Sequence, residues 1–387
     1  MIPLKYNLRN LRVRWVTTLM TVMGTGAVIW CSCILFGLVD GLQHSLNISG
    51  DPTDLIILRK GSTNETSGAF SLDTAQKIAT LKGIAHDESG APMVALELLN
   101  IPVTERVDGS HTNLIVRGVD PASPLLRPNF KIIEGRYFTR GKDECVVSRN
   151  ISKRFKNAQL GGLLRVGDKE AYRVVGLFTA GGSAAESEVW VDRQDLVRHT
   201  AFGGFVSCAQ LRASSAADME QIRQTLIQDT QFKLLAQTEQ EYFSKQDRSG
   251  LFLKVFGTVI AILLTIGAMF SAANTMFAAV SARTREIGTM RALGFTRFDV
   301  LLSFMGESIL LCTLGGLLGL LATLPLSALS FGIMNQDSFA EVTVNFHLGP
   351  MVMGVAFAMT AAMGLFGGLF PALRAVNLDV IKALREL

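Results

Sequence analysis

The chain has 387 residues, of which 49% are apolar and 18% charged, with a mean hydropathy of +0.33. Soluble domains carry roughly 25% charged residues, so the composition excludes a wholly soluble protein and points to membrane segments joined to a soluble part. The net charge of +4 does not come from that soluble part: Leu46 to Arg248 holds 25 basic and 25 acidic residues, and the remainder 12 and 8. The excess lies beside the apolar segments, and no basic stripe supports nucleic-acid binding.

Residues 1–15, "MIPLKYNLRNLRVRW", read as an amphipathic flank with Lys5, Arg9, Arg12 and Arg14 and no acid. The first apolar run covers 16–42. A bilayer core of about 30 Å needs about 20 apolar residues in a helix, so the run is long enough to span. It exceeds a signal-peptide core and shows no small-x-small cleavage pattern, which predicts a retained anchor.

Residues 43–250 alternate strand and helix patterns. "TDLIILRKG", "MVALELL", "NLIVRGV", "ECVVS" and "SEVWVD" read as strands. "SLDTAQKIATLKGI" reads as a helix with Ser71 as N-cap, and "AADMEQIRQTLIQ" as another. "LLRVGDKEAYRVVGLF" reads as a hairpin turning at Gly167-Asp168. The pattern is α+β.

A second apolar run covers 251–280, a third 300–333 and a fourth 350–373. Between the second and third lies "SARTREIGTMRALGF", within a polar link over 281–297. The link after the second run carries Arg283, Arg285, Arg291 and Arg297. The C-terminal flank, 374–387, carries Arg374, Lys382 and Arg385. The link between runs three and four has no Lys or Arg. Positive residues stay on the cytoplasmic side, so both termini and the 281–297 link are expected in the cytoplasm and residues 43–250 outside. The fold class expected is an α-helical membrane protein with four transmembrane helices and a large α+β extracytoplasmic domain inserted between helices 1 and 2.

Small residues one turn apart, Gly37 and Gly41, Gly315 and Gly319, Gly364 and Gly368, permit close helix approach. Asp40 and Lys254 sit near the outer ends of their runs, where they can snorkel. Glu307 lies about two turns into the third run, a costly place for a charge. Its expected partner is Arg283 or Arg285.

No catalytic constellation is present in the sequence. The histidines His44, His86, His111, His199 and His347 share no ligand spacing, and neither HExxH nor a nucleophile elbow occurs. "GRYFTRGKD" fails as a phosphate loop, with one residue too many before Gly141 and Asp143 where Ser or Thr belongs. Of the five cysteines, Cys31, Cys33 and Cys312 lie in apolar runs. Cys145 and Cys208 lie in the soluble part, and their pairing stays open at this level.

In the 281–297 link, helix formers dominate and Gly294 is placed to end a helix. Arg283 and Glu286, and Glu286 and Met290, are one turn apart. Ile287, Met290 and Leu293 form an apolar stripe edged by Arg285 and Arg291. Such a stripe fits either a partner's groove or a lipid headgroup layer.

The order of runs, with "ARTREIGTMRALGFTRFDVLLSFMGESILL" and the C-terminal "FPALRAVNLDVIKALREL", resembles the FtsX/MacB/LolC-type permeases of ATP-binding-cassette transporters. "IIEGRYFTRGKDECVVSRNISKRF" with "VGDKEAYRVVGLF" is similar to the outer domain of MacB-type proteins. The resemblance implies that 281–297 is a coupling helix docking on a cytoplasmic ATPase through Arg283, Arg285, Glu286, Ile287, Met290, Arg291, Leu293 and Gly294. It implies a dimer with a second permease copy or a related permease, contact with membrane lipids, a periplasmic adaptor or carrier, and a place in the bacterial inner membrane. It also implies two outer lobes, about 50–118 with 205–237, and 119–204. No GxxxxGK[ST] occurs in the sequence, so ATP and magnesium are expected on a separate ATPase, with no cofactor or metal on this chain. Export or extraction of a lipid, lipoprotein or other amphiphile follows from the MacB/LolC side. FtsX-like signalling to an extracytoplasmic partner such as a cell-wall hydrolase is the alternative.

Overall fold

A computed structural model describes residues 15–49, 53–127, 129–167, 170–228, 233–246, 248–328, 330–334 and 341–377. The flank 1–14, residues 378–387 of the C-terminal segment 374–387, which as a whole is expected to be a cytoplasmic helix, and Asp168 of the expected turn lie outside the described residues. The chain divides into two compact units. One comprises residues 1–41, 251–329 and 346–387, the other 42–250 and 330–345.

The first unit is helical. α1 (Trp15–Ser49), α2 (Arg248–Ala282), α4 (Arg297–Thr323) and α5 (Pro350–Val376) are long, and the short α3 (Thr284–Ala292) joins α2 to α4. The stretches Trp15–Ser45, Lys254–Ala282, Arg297–Leu326 and Pro350–Val376 are long and apolar enough to cross a membrane.

Small residues set the packing. A Cβ at Gly315 or Gly319 of α4 would strike Thr25, Val22 or the Gly26 carbonyl of α1, and one at Gly364 or Gly368 of α5 would strike Ile309 or Ser308 of α4. The Ser308 hydroxyl donates to the Gly364 carbonyl at 2.9 Å across that close approach. Gly37 lies against the Phe346 ring, and Gly41 is buried.

Asp40, expected to snorkel, is instead engaged within this unit. Its Oδ2 lies 2.7 Å from His347 Nδ1 and accepts from the Gly349 N–H at 3.1 Å. Gly349 is the N-cap of α5 and has no side chain to satisfy that end, so Asp40 supplies the carboxylate that a helix N-terminus favours.

The third apolar run ends earlier than its hydropathy suggests. α4 stops at Thr323, a tighter 3-10 turn covers Leu324–Ala328, and Ser330–Met334 is a strand. Pro325 has no N–H for the helical ladder, and the chain beyond it is extended at Ser330–Met334. That strand, β11, pairs antiparallel with β12 (Glu341–Asn345), and this hairpin belongs to the second unit. There the Glu341 carboxylate, nearly buried, pairs with Arg106 and Arg154.

The second unit is α+β. Ten strands form one sheet: β1 (Asp54–Arg59), β2 (Val94–Asn100), β3 (Ile115–Val119), β4 (Lys131–Gly135), β5 (Glu144–Ser148), β6 (Leu163–Val166), β7 (Glu170–Thr179), β8 (Glu188–Asp192), β9 (Cys208–Arg212) and β10 (Leu234–Thr238). Their order is β10-β1-β9-β2-β3-β8-β5-β7-β4, with β6 paired to β7. Side chains alternate between faces. On one face Leu55, Ile57, Leu96 and Leu211 pack under the helices Leu72–Ile78 and Ala216–Gln228. Farther along it Leu98, Val116, Cys145, Val147, Val189 and Val191 pack under Arg149–Arg154 and Arg193–His199. Ser71 accepts from the Thr74 N–H, as an N-cap should. The expected lobe boundary shifts here. β3, placed with the first lobe by sequence, shares its apolar core with 144–196, and β2–β3 pairing makes the sheet continuous.

Candidate functional site

α3 is held by its own chain along one side. Arg283, at its N-cap, donates from Nη1 to Glu307 Oε2 at 3.0 Å, and both side chains are buried. Arg283 is therefore the partner of Glu307, while Arg285 is exposed. Ile287 is 1% exposed and packs with Met276, Val280, Val300, Phe304 and Ala372, with Met290 beside it. Arg291 Nη1 donates to the Val376 carbonyl at 3.2 Å, near the C-terminus of α5, where a cation complements the helix dipole.

The apolar stripe is thus split. Ile287 and Met290, expected to face a partner, are turned to the interior, because the ends of α2, α4 and α5 present an apolar surface at the same place. Leu293 remains 76% exposed, and Phe298, in the first turn of α4, is 66% exposed. Sequence reasoning passed over Phe298 because it lies beyond Gly294.

The turn between them is rigidly specified. Gly294 has φ +98°, the Phe295 N–H bonds the Met290 carbonyl at 3.2 Å, and the Gly294 N–H bonds the Arg291 carbonyl at 3.2 Å. This is a Schellman termination. Thr296 and Asp299 then form a capping box that starts α4.

A second polar constellation lies in the α+β unit, on the sheet face opposite the helices already described. Arg117 of β3 bonds Glu188 of β8 (Nε to Oε2, 2.6 Å), Glu97 of β2 (2.6 Å) and Glu65 of the loop after β1 (2.9 Å). Arg127 adds two bonds to Glu97, at 2.9 and 3.0 Å. Cys208 donates to Glu65 at 3.2 Å, and Tyr242 Oη accepts from the Glu65 N–H at 3.3 Å. Burial opposes ionisation of Glu97, but Arg127 and Arg117 outweigh it and hold the carboxyl at about 2. Burial pushes the Cys208 thiol well up, aided by Glu65 and Glu97, so it stays protonated. Cys145 is also a buried free thiol.

Glu65, Glu97 and Cys208 bring donor atoms within 4.8 Å of one another, a spacing that suits a metal ion. The Arg117 guanidinium already bonds both carboxylates, so the cation at this position is part of the chain. The network is a core ion cluster whose thiol, Cys208, is buried and protonated.

The apolar helices, the braced short helix and the α+β sheet coincide with two known domain families. The MacB-like periplasmic core domain matches residues 17–229, more than half the chain, and the FtsX-like permease C-terminal domain matches residues 258–380. The chain belongs to the MacB/FtsX permease family. It is a multi-pass membrane protein.

This MacB/FtsX-type chain is 23% identical to the macrolide export ATP-binding/permease protein MacB of Bdellovibrio bacteriovorus, over 94% of its own length and 58% of that protein. It is 25% identical to the pyoverdine export ATP-binding/permease protein PvdT of Pseudomonas entomophila, over 96% and 58%. The chain thus spans somewhat over half the length of these curated relatives. Among solved structures, the periplasmic region of MacB from Actinobacillus actinomycetemcomitans aligns with 54% of the chain and 98% of its own, at 12% identity and a TM-score of 0.40.

Proposed function

We propose that this chain is the membrane subunit of an ATP-binding-cassette transporter in which a separate ATPase docks on α3 and moves the α+β domain. The observation that carries this reading is the asymmetry of α3. One side is locked to α2, α4 and α5 through Ile287, Arg283–Glu307 and Arg291. The other side offers Arg285, Leu293 and, across the Gly294 turn, Phe298 to solvent. An element exposed on one side and bonded to three helices on the other transmits a push without deforming.

The basic flanks support a cytoplasmic location for α3 and both termini, in a bacterial inner membrane. The α+β domain is then an extracytoplasmic insertion between α1 and α2. ATP and magnesium belong to the ATPase, and two permease copies face two ATPase subunits. The relatives' names pair ATP-binding with permease and name export of a macrolide or of pyoverdine. For this chain they support export or extraction of an amphiphile, a lipid or a lipoprotein. Isolated carboxylates along the spans are few, and Glu307 is neutralised by Arg283, which favours rigid-body transmission over a polar channel.

The test is co-purification with a candidate ABC ATPase co-expressed with the chain. Leu293→Asp combined with Phe298→Asp abolishes the association while leaving the melting temperature of the permease unchanged. Retained association in that double variant refutes docking on α3.

A further inference from the structure

α2 is the membrane helix least engaged by its own chain. Only 22% of its most apolar part is buried, against 33–50% for the other three long helices. Its inner side is taken up within the unit. Ala261 and Ala268 share a cluster with Ile29 of α1 and Met363 of α5, and Ala272 lies under the close approach of Gly367.

The opposite side carries a regular pattern. Ile260, Leu263, Gly267, Phe270 and Asn274 follow one another at steps of three, four, three and four, and Ser281 repeats the position of Asn274 one heptad on. All six are exposed, Leu263 by 63% and Phe270 by 72%. A period of 3.5 residues is what a helix needs to meet another helix along its length, whereas lipid demands only that the side be apolar. Gly267 sits between Leu263 and Phe270, and a Cβ built on it meets nothing within 4 Å. Such a place is a hole for a knob from a facing helix.

Asn274 separates lipid from a protein partner. Thr258, Thr265 and Thr275 of the same helix turn their hydroxyls back to carbonyls of the preceding turn, which satisfies them inside α2. The Asn274 amide makes no hydrogen bond among the described residues. It lies eight residues before the end of α2, about 12 Å along the axis, within the stretch apolar enough to cross a membrane. Lipid chains offer an amide nothing to bond. The amide carries both donors and an acceptor, so it pairs with a copy of itself, and a single Asn in an apolar seam fixes register and the number of strands.

We propose that α2 meets α2 of a second copy of this chain along this seam, in parallel, with the two Asn274 amides hydrogen-bonded to each other. Copies inserted with one orientation are parallel, so a two-fold axis between them sets each seam residue opposite its own counterpart. Gly267 lets the two backbones come close. The inference rests on the two-copy arrangement proposed above, adds the helix and the register that form it, and involves no ATPase.

The experiment uses the full chain in liposomes at a low protein-to-lipid ratio, in a Cys31→Ser background that removes the exposed native thiol of α1. Leu263→Cys and Ile262→Cys are each oxidised with copper phenanthroline. Ile262 is also exposed, at 53%, but is turned about 100° away around the helix. Leu263→Cys gives a disulfide-linked dimer and Ile262→Cys gives little. Adding Asn274→Leu lowers the Leu263→Cys yield several-fold, and Asn274→Gln, which keeps the amide, retains most of it. Equal cross-linking at the two positions, none at Leu263, or a yield unmoved by Asn274→Leu overturns the seam. Single-molecule photobleaching counts the copies in the same liposomes. Single copies overturn the two-copy reading together with the seam, whereas two copies without the Leu263 cross-link overturn the seam alone.

Discussion

Arg283 and Glu307 form a buried ion pair, Nη1 to Oε2 at 3.0 Å, that fixes the start of α3 to the third turn of α4. Removing one partner of a buried pair strands the other charge and costs about 3–5 kcal/mol. Glu307→Ala and Arg283→Ala each therefore lower the melting temperature of the detergent-purified chain by several degrees. The combined Arg283→Met/Glu307→Leu variant recovers most of the loss, because apolar groups of similar volume remove both desolvation penalties together. A single variant that melts like the parent contradicts the burial of this pair.

The glycines of the helical unit divide into two classes. Gly319 lies so close to α1 that a Cβ would meet the Gly26 carbonyl, whereas Gly306 has open space around its Cα. Gly319→Val therefore forces α1 and α4 apart and destabilises by about 1–3 kcal/mol. Gly306→Ala is neutral or stabilising by up to about 1 kcal/mol, since alanine restricts the unfolded chain. Thermal denaturation of the two variants side by side checks the contrast. Equal effects would show that helix approach, rather than helix propensity, has been misjudged.

Acid should weaken the ion cluster of the α+β unit in a defined window. The folded Glu97 carboxyl is held at about 2 against an ordinary value of 4.5, burial being outweighed by Arg127 and Arg117. A depressed folded value means the stabilisation is complete above about pH 4.5 and is lost as pH falls through about 2. Glu97→Gln lowers stability at neutral pH and flattens its fall between pH 4.5 and 2. Glu144, held at about 2 chiefly by its hydrogen bonds from Arg136, keeps part of the slope. The readout is chemical denaturation of the full chain across that range, and a slope identical to the parent's counts against Glu97 as its source.

The membrane helices were legible because an all-round apolar run of sufficient length has few alternatives. The end of α4 was not, because β11 is as apolar as the helix before it and only Pro325 marks the change. At α3 the spacing of Ile287, Met290 and Leu293 correctly indicated a helix with an apolar side. Periodicity does not say whether such a side meets the same chain or another, and Ile287 meets its own. The ion cluster was missed for a different reason. Cys208, Glu97, Arg117 and Glu188 are brought together by the strand order β9-β2-β3-β8, and Glu65 by the loop after β1, which local pattern cannot supply. A usable signal was present: "MVALELL" and "NLIVRGV" each place a charge inside an otherwise apolar strand, and "SEVWVD" places one at each end of its strand, and such charges need partners.

The two thiols of the α+β unit provide the last prediction. Cys145 packs in the core beneath the helices with Val147 and Val189, whereas Cys208 packs on the opposite face with Ile56 and Tyr242. A disulfide requires Cβ atoms about 4 Å apart and facing each other, which residues on opposite faces of one sheet do not achieve. Burial also pushes both thiols up, so the reactive thiolate is scarce. In a Cys31→Ser background, which removes the exposed thiol of α1, the folded chain therefore shows no disulfide-dependent mobility shift on a non-reducing gel, and a maleimide labels Cys145 and Cys208 only after denaturant is added. Rapid labelling of Cys208 in the native chain would mean that the Glu65 loop opens, and it would place the ion cluster among the moving parts of the α+β unit rather than its rigid core.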